Sequence, residues 1–219
     1  MDMKPLILLG AGGHAKVLLS LLTACHFPIY GVCAPEFETS TNEKWRGIPV
    51  LGSGNDLSLW HPDEFYLVNG IGKRGQETTR EEVFESCKQQ GYYFPPLIHP
   101  SAIIDPEVKL AQGVQIMAGV VIQTDTTIGC NVIINTAASI DHDCIIEDHA
   151  HIAPHATLCG GVHIGRAALI GSGAAITPLC HIGNNAIIGA GASVRHDVPD
   201  NKTLFPPPSI YKTPQGTTI

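Results

Sequence analysis

The sequence predicts two units in series: a small parallel α/β sheet, then a parallel β-helix built from six-residue repeats. Three observations carry that prediction. Aliphatic residues recur at every sixth position, from Ile98, Ile104, Leu110 and Ile116 through to Val194, 17 in succession without a slip of register. A second column lies four residues after each of these and holds only small or β-branched side chains, from Ala102 to Val198. Ahead of both columns, short apolar runs alternate with stretches of helical spacing, the mark of a parallel α/β sheet.

In the first unit, Leu6–Leu9 is a short apolar run broken by Gly10-Ala11-Gly12-Gly13 and His14, and it reads as a buried strand. Val17, Leu18, Leu21 and Leu22 then fall on one helical face. Further strands are expected at Ile29–Cys33, Ile48–Leu51 and Phe65–Val68, the last ending at Gly70-Ile71-Gly72. Thr78–Gln90 has the composition of a helix, with Val83, Phe84 and Cys87 on one side. Trp45 and Trp60 read as packing residues.

The glycine turn fits the spacing G-x-G-x-x-G/A at Gly10, Gly12 and Ala15, a geometry that lets backbone approach a phosphate at a helix N-terminus. A nicotinamide dinucleotide is disfavoured. The second strand ends in Cys33-Ala34-Pro35, with Glu36 just beyond, where a ribose-binding carboxylate would stand. A phosphate or nucleotide-sugar cradle fits better, and a ligand-free strand–helix turn is the plain alternative. Lys73 and Arg74 could meet a phosphate or form a solvated pair.

In the second unit, Ala138-Ser139-Ile140 shows the logic of one repeat. The first and third side chains share a face and the middle one points away. A small inward residue followed by a large one fills a narrow interior. The intervening positions, often glycine as at Gly129, Gly165, Gly171, Gly183 and Gly189, are expected to turn a corner. Three strands and three corners close a triangular coil of roughly 18 residues. Domain limits are predicted at residues 1–95 and 96–199, with a tail at 200–219.

Composition narrows the functional classes. Of 219 residues, 44% are hydrophobic and 15% charged, so a core is assured, and the low aromatic share of 6% suits aliphatic coils. A net charge of −7 without a basic run argues against nucleic acid. No apolar stretch reaches the ~20 residues of a membrane span. The seven cysteines form no CxxC pair and read as small buried hydrophobes in a reducing compartment, consistent with a cytoplasmic protein.

The two halves together resemble the sialic acid O-acetyltransferase and bacillosamine N-acetyltransferase (NeuD/PglD) family of bacterial sugar acetyltransferases. The resemblance rests on Gly10-Ala11-Gly12-Gly13-His14-Ala15-Lys16, on Gly70-Ile71-Gly72 after a strand, on His99-Pro100 at the start of the repeats, and on Asn135-Thr136 upstream of Asp141-His142-Asp143. It implies a Rossmann-like first domain and a β-helix wound left-handed, against the usual crossover hand. It also implies a homotrimer with acetyl-CoA in grooves between subunits, no metal, and a nucleotide-sugar acceptor. By the same resemblance His142 is the general base and Asp143 its acidic neighbour. His151 lies near the acetyl end of coenzyme A, and Gly160 lies further along its groove. Gly12, Gly13, His14 and Gly72 line the acceptor pocket. Two segments depart from the family: Cys33-Ala34 stand where aspartates are common, and Phe205-Pro206-Pro207-Pro208 replaces a Gly-Val-Pro-Ala-Lys-like end.

Histidine suits acetyl transfer because its ordinary pKa of ~6.5 lies near working pH. His142 falls at a corner, two residues after Ile140, so its ring is expected to point outward toward a neighbouring subunit. Asp143 or Asp141 could hold one ring nitrogen and leave the other free. Direct attack by the acceptor, without an acyl-enzyme, is expected. Nitrogen and oxygen acceptors both stay open, with a 4-amino-sugar favoured over a hydroxyl of sialic acid or another sugar. Outward His151, His163 and His181 admit a second class, a trimeric zinc lyase resembling carbonic anhydrase. A non-catalytic scaffold is a third.

Overall fold

The computed structural model describes residues 4–37, 43–54, 57–73 and 75–208. Arg74 lies outside the described residues. The first unit comprises β1 (Leu6–Leu9), α1 (Gly13–Ala24), β2 (Ile29–Cys33), β3 (Lys44–Trp45), β4 (Ile48–Gly52), β5 (Tyr66–Asn69) and α2 (Thr79–Gln89). The sheet order is β3-β4-β2-β1-β5. β1 lies between β2 and β5 and is parallel to both. Its four side chains are all buried because each face of the sheet is covered, which explains an apolar run without alternation. Leu6 and Leu8 meet Leu18 and Leu22 of α1 on one face. Ile7 and Leu9 meet Phe84 and Cys87 of α2 on the other.

The sheet is not wholly parallel as expected: β3 pairs antiparallel with β4. The two-residue turn between them, Arg46 and Gly47, has φ of 49° and 85°. That double positive φ is the hairpin geometry whose twist matches the flanking strands. Trp45 is thereby folded back against the α1 side of the core.

Eighteen two-residue strands follow, from Leu97–Ile98 to Thr203–Leu204, and form parallel sheets of seven, six and five strands. These are the three faces of a left-handed β-helix. The first face carries Ile133–Ile134 and His151–Ile152, the second Ser139–Ile140, and the third Ile145–Ile146. From Leu97 to Val194 successive paired strands lie 18 residues apart, as Ser139 and Thr157 do. The aliphatic column lines the interior, no more than 1% exposed from Ile116 to Val194. Full burial of each such side chain contributes roughly 2 kcal/mol. Ile98, at the open first coil, is 40% exposed. The strand at Thr203–Leu204 pairs with Ile187–Ile188, so the coil runs into the segment predicted as tail.

The corner glycines act differently from expectation. The left-handed backbone sits two positions after Gly129, at Asn131 (φ 57°), and recurs every six residues, Asp143 (φ 58°) included. At Gly171 a Cβ would lie 2.6 Å from the Ile188 carbonyl oxygen of the next coil. Close approach of stacked coils, not backbone freedom, excludes a side chain there.

The two units share a core. Leu97, Met117 and Ile133 of the first face pack among the residues around α1. A Cβ on Gly113 would stand 2.8 Å from the Phe84 ring, so the bare corner admits α2. Beside this contact runs a buried polar seam of Asn69, Arg80, Gln115, Asn131 and His149, each at most 4% exposed.

Candidate active site

The glycine turn and the β-helix enclose a cavity of about 560 Å³. It is lined by the glycine turn from Gly10 to His14, by the adjoining Gly70 to Lys73, and by Asn135 and His151 of the β-helix. Gly12 caps α1 without any side-chain hydrogen bond, and the first turn of α1 carries no acidic residue. Its free N–H groups and the helix dipole therefore favour an anion there. A Cβ on Gly12 or Gly13 would meet open space. Glu36 lies on the rim, and Lys73 adds a half-buried ammonium whose pKa burial lowers.

His14 Nε2 lies 2.7 Å from the Gln115 side-chain oxygen. That oxygen only accepts, so Nε2 carries the proton. The Gln115 amide in turn donates to the Asn69 carbonyl at 2.8 Å. Burial, and then the charge of Arg80, push the His14 pKa down to about 4. Burial first, then His14, Arg80 and Lys73, push His151 down to about 3. Both imidazoles are neutral at pH 7. The Asn135 amide nitrogen stands 3.3 Å from His151 Nε2, which leaves the proton on Nδ1.

A second group forms at the corner between the second and third faces. His142 Nδ1 is 2.7 Å from an Asp143 carboxylate oxygen. The Asp141 carboxylate accepts from the His142 backbone N–H at 2.9 Å. The left-handed backbone at Asp143 brings its carboxylate back beside the preceding ring. The Asp143 hydrogen bond, then the Asp141 charge, raise the His142 pKa. Nδ1 donates to Asp143, so Nε2 is the basic atom, and the ring lies against Gly160.

The structure thus sorts the sequence-predicted residues into two groups. Gly12, Gly13, His14, Gly72 and His151 meet at one cavity. His142, Asp143 and Gly160 meet at a corner that does not line it. Sequence reading passed over Gln115, Asn69 and Arg80. Gln115 had a readable signal, a polar residue in the outward slot before Ile116 at the start of the coils. His163 is engaged with Glu147 at 2.8 Å and meets His181 edge-on, with ring centroids 4.5 Å apart. Among the described residues no group of three or more His, Cys, Asp or Glu side chains is placed to hold a metal.

An outward histidine–carboxylate pair on a left-handed β-helix, fused to an α/β unit with a glycine turn, is the build of a hexapeptide-repeat sugar acetyltransferase. Residues 5–87 match the family model of the PglD N-terminal domain, and residues 125–160 match that of the bacterial transferase hexapeptide (six repeats). GDP-perosamine N-acetyltransferase of Escherichia coli O157:H7 is 28% identical over 173 residues, spanning 76% of this chain and 75% of that protein. The structure of PerB from Caulobacter crescentus with CoA and GDP-perosamine is 33% identical and covers 93% of this chain and 95% of that one, with a TM-score of 0.81. The acetyltransferase domain of PglB from Neisseria gonorrhoeae, with acetyl coenzyme A, is also 33% identical, covering 92% and 96%, with a TM-score of 0.83. This chain belongs to the NeuD/PglD family of sugar acetyltransferases.

Proposed function

We propose that this protein transfers the acetyl group of acetyl-CoA to the 4-amino group of a nucleotide-linked sugar, with His142 as general base. The observation that carries the reading is the His142–Asp143 pair, a tautomer fixed at Nδ1 with Nε2 left basic. The relatives' names, GDP-perosamine N-acetyltransferase and PerB with CoA and GDP-perosamine, favour nitrogen over oxygen as the acceptor atom.

In this mechanism the acceptor nitrogen attacks the thioester carbonyl while His142 Nε2 removes its proton. Collapse of the tetrahedral intermediate breaks the carbon–sulfur bond, and the thiolate leaves with the proton His142 took. Asp143 stabilises the imidazolium in between. The nucleotide diphosphate would sit at the N-terminus of α1 beside Gly12, Gly13 and Gly72. A neighbouring cavity of about 450 Å³, which shares Gly10, Pro35, Ile71 and Thr79 with the first, offers room for the base. There the end of β2 presents the Cys33 thiol, its pKa pushed up to about 12 by burial, in place of a carboxylate.

The cavity and the base occupy different corners of one coil, so the reading includes a homotrimer in which one subunit's His142 serves its neighbour's cavity. Exposed apolar residues on the faces that the α/β unit leaves bare, Ile103, Ile145 and Leu179, support such packing. The test is thiol release from acetyl-CoA against GDP-, UDP- and dTDP-linked 4-amino-sugars, with sialic acid included. Acetylation of one amino-sugar, reduced on the order of 10²–10⁴-fold by His142→Ala, is the expected result. Turnover with sialic acid alone would move the acceptor atom to oxygen. Silence throughout would overturn the reading.

A further inference from the structure

Arg80, on the first turn of α2, is 4% exposed and has no carboxylate within ion-pair distance among the described residues. Buried arginines are rare without such a partner. Its guanidinium donates only to neutral backbone. Nη1 reaches the carbonyls of Asn69 at 2.9 Å and Ile71 at 2.6 Å, and Nη2 that of Asn131 at 3.3 Å. Nε is buried with no partner. Burial lowers the pKa to about 9, which keeps the group charged at neutral pH.

The two carbonyls held by Nη1 flank Gly70, in the wall of the cavity adjoining the glycine turn. The third belongs to a corner of the β-helix. The Asn69 side chain closes the arrangement from behind, donating to the Arg80 carbonyl at 2.9 Å. One side chain therefore ties the Asn69–Ile71 turn of the wall to the β-helix corner at Asn131, just ahead of the strand that leads to Asn135. Its positive charge also reaches into the cavity, since it disfavours protonation of both His14 and His151.

We propose that Arg80 is a positioning residue of the acceptor site: it sets the Asn69–Ile71 wall against the β-helix, and the anionic diphosphate of the acceptor supplies the counter-charge that Arg80 lacks in the chain. The proposal rests on reading the cavity as the acceptor site. It adds a residue that touches no substrate atom and acts through the wall it holds. A neutral sugar gains nothing from the buried charge, so the arrangement selects nucleoside diphosphate sugars over free ones.

The full-length protein, with Arg80→Gln and Arg80→Lys, tests this by calorimetric titration of GDP, UDP and acetyl-CoA. Gln drops the charge and falls short of the carbonyls that Nη1 and Nη2 hold, and Lys keeps the charge but loses the fork. Arg80→Gln is expected to weaken the preferred nucleoside diphosphate at least tenfold, leave acetyl-CoA affinity within twofold, and recover most of the loss in Arg80→Lys. Nucleotide binding needs no turnover, so an Arg80-dependent affinity in a protein that acetylates nothing would uphold this proposal while defeating the proposed reaction. Unchanged nucleotide affinity in Arg80→Gln overturns it. So does equal loss of acetyl-CoA affinity, no nucleotide binding by the parent protein, or failure of both variants to fold, which would make Arg80 a residue of the junction alone.

Discussion

The imidazole of His142 rests on the bare Cα of Gly160, one coil further on: a Cβ there would lie 2.6 Å from Cε1 and 2.7 Å from Nε2. The adjoining backbone fixes the two coils together here, because the Gly161 N–H donates to the His142 carbonyl at 2.9 Å. Glycine at 160 therefore sets where the His142 ring can stand. Gly160→Ala should push the ring off its Asp143 hydrogen bond without touching the core, since both side chains face outward at the corner. A displacement of about 1 Å can cost on the order of 100-fold in rate. The expected outcome is kcat down 10–100-fold with a melting temperature within about 3 °C of the parent. Full activity in the variant would mean that the ring position at this corner is not the catalytic one.

Asp143 tunes the acidity of His142, the proposed base. Its hydrogen bond is the largest of the influences that raise the His142 pKa, ahead of the Asp141 charge. A general base works in its neutral form, so activity should rise with pH through the His142 pKa. Asp143→Asn tolerates the left-handed backbone (φ 58°) and removes the charge. The acid limb of the kcat/KM profile should then move to lower pH while the plateau falls. A limb that stays in place would assign the titration to another group.

Much of this fold was legible because its information is periodic. Each coil repeats the last in sequence as well as in space, so Ile116 and Val194 announce the same interior from 78 residues apart. The candidate base came from the family resemblance, and periodicity added that His142 stands outward at a corner with Asp143 as its neighbour in sequence. The junction was not. Asn69, Arg80 and Asn131 meet through hydrogen bonds spanning 11 to 62 positions, and no local period records such a meeting. The β3–β4 hairpin escaped because Arg46-Gly47 is a weak turn signal beside two residues of strand. The glycine at 171 looked like a turn residue because sequence cannot distinguish backbone freedom from a close neighbour, and here it is the Ile188 carbonyl that excludes a side chain.

The buried histidines should make the fold sensitive to mild acid. Burial holds His14 and His149 near a pKa of about 4 and His151 near about 3. In the unfolded chain each returns to an ordinary value near 6.5. Below that pH the unfolded state binds protons that the folded state does not, so stability present above pH 6.5 is lost as pH falls toward about 4. Each fully buried imidazole is worth on the order of 3 kcal/mol at the end of that range, less where the losses of His14 and His151 are coupled. Urea melts at pH 7.5 and pH 5.0 should show a clear fall in midpoint, with His149→Asn, which suits the left-handed backbone (φ 62°), flattening part of it. A midpoint independent of pH across that interval would mean that these rings protonate in place.

The proposed division of the site between subunits gives the sharpest test of the proposed trimer. His142→Ala removes the base from the corner, and Gly12→Leu fills the cavity, because a Cβ at Gly12 points into open space. Each variant alone should be nearly inactive. If base and cavity came from one chain, mixing the two would restore nothing, since every chain would carry one lesion at its only site. If a neighbour's corner serves the cavity, an intact corner meets an intact cavity at about one site in three of every trimer that holds both variants. Co-expression with two different tags, followed by tandem purification to remove the unmixed trimers, should therefore recover activity on the order of a third of the parent. Recovery of that size in the doubly tagged fraction, absent from either variant alone, would place His142 across a subunit boundary from the acceptor it serves.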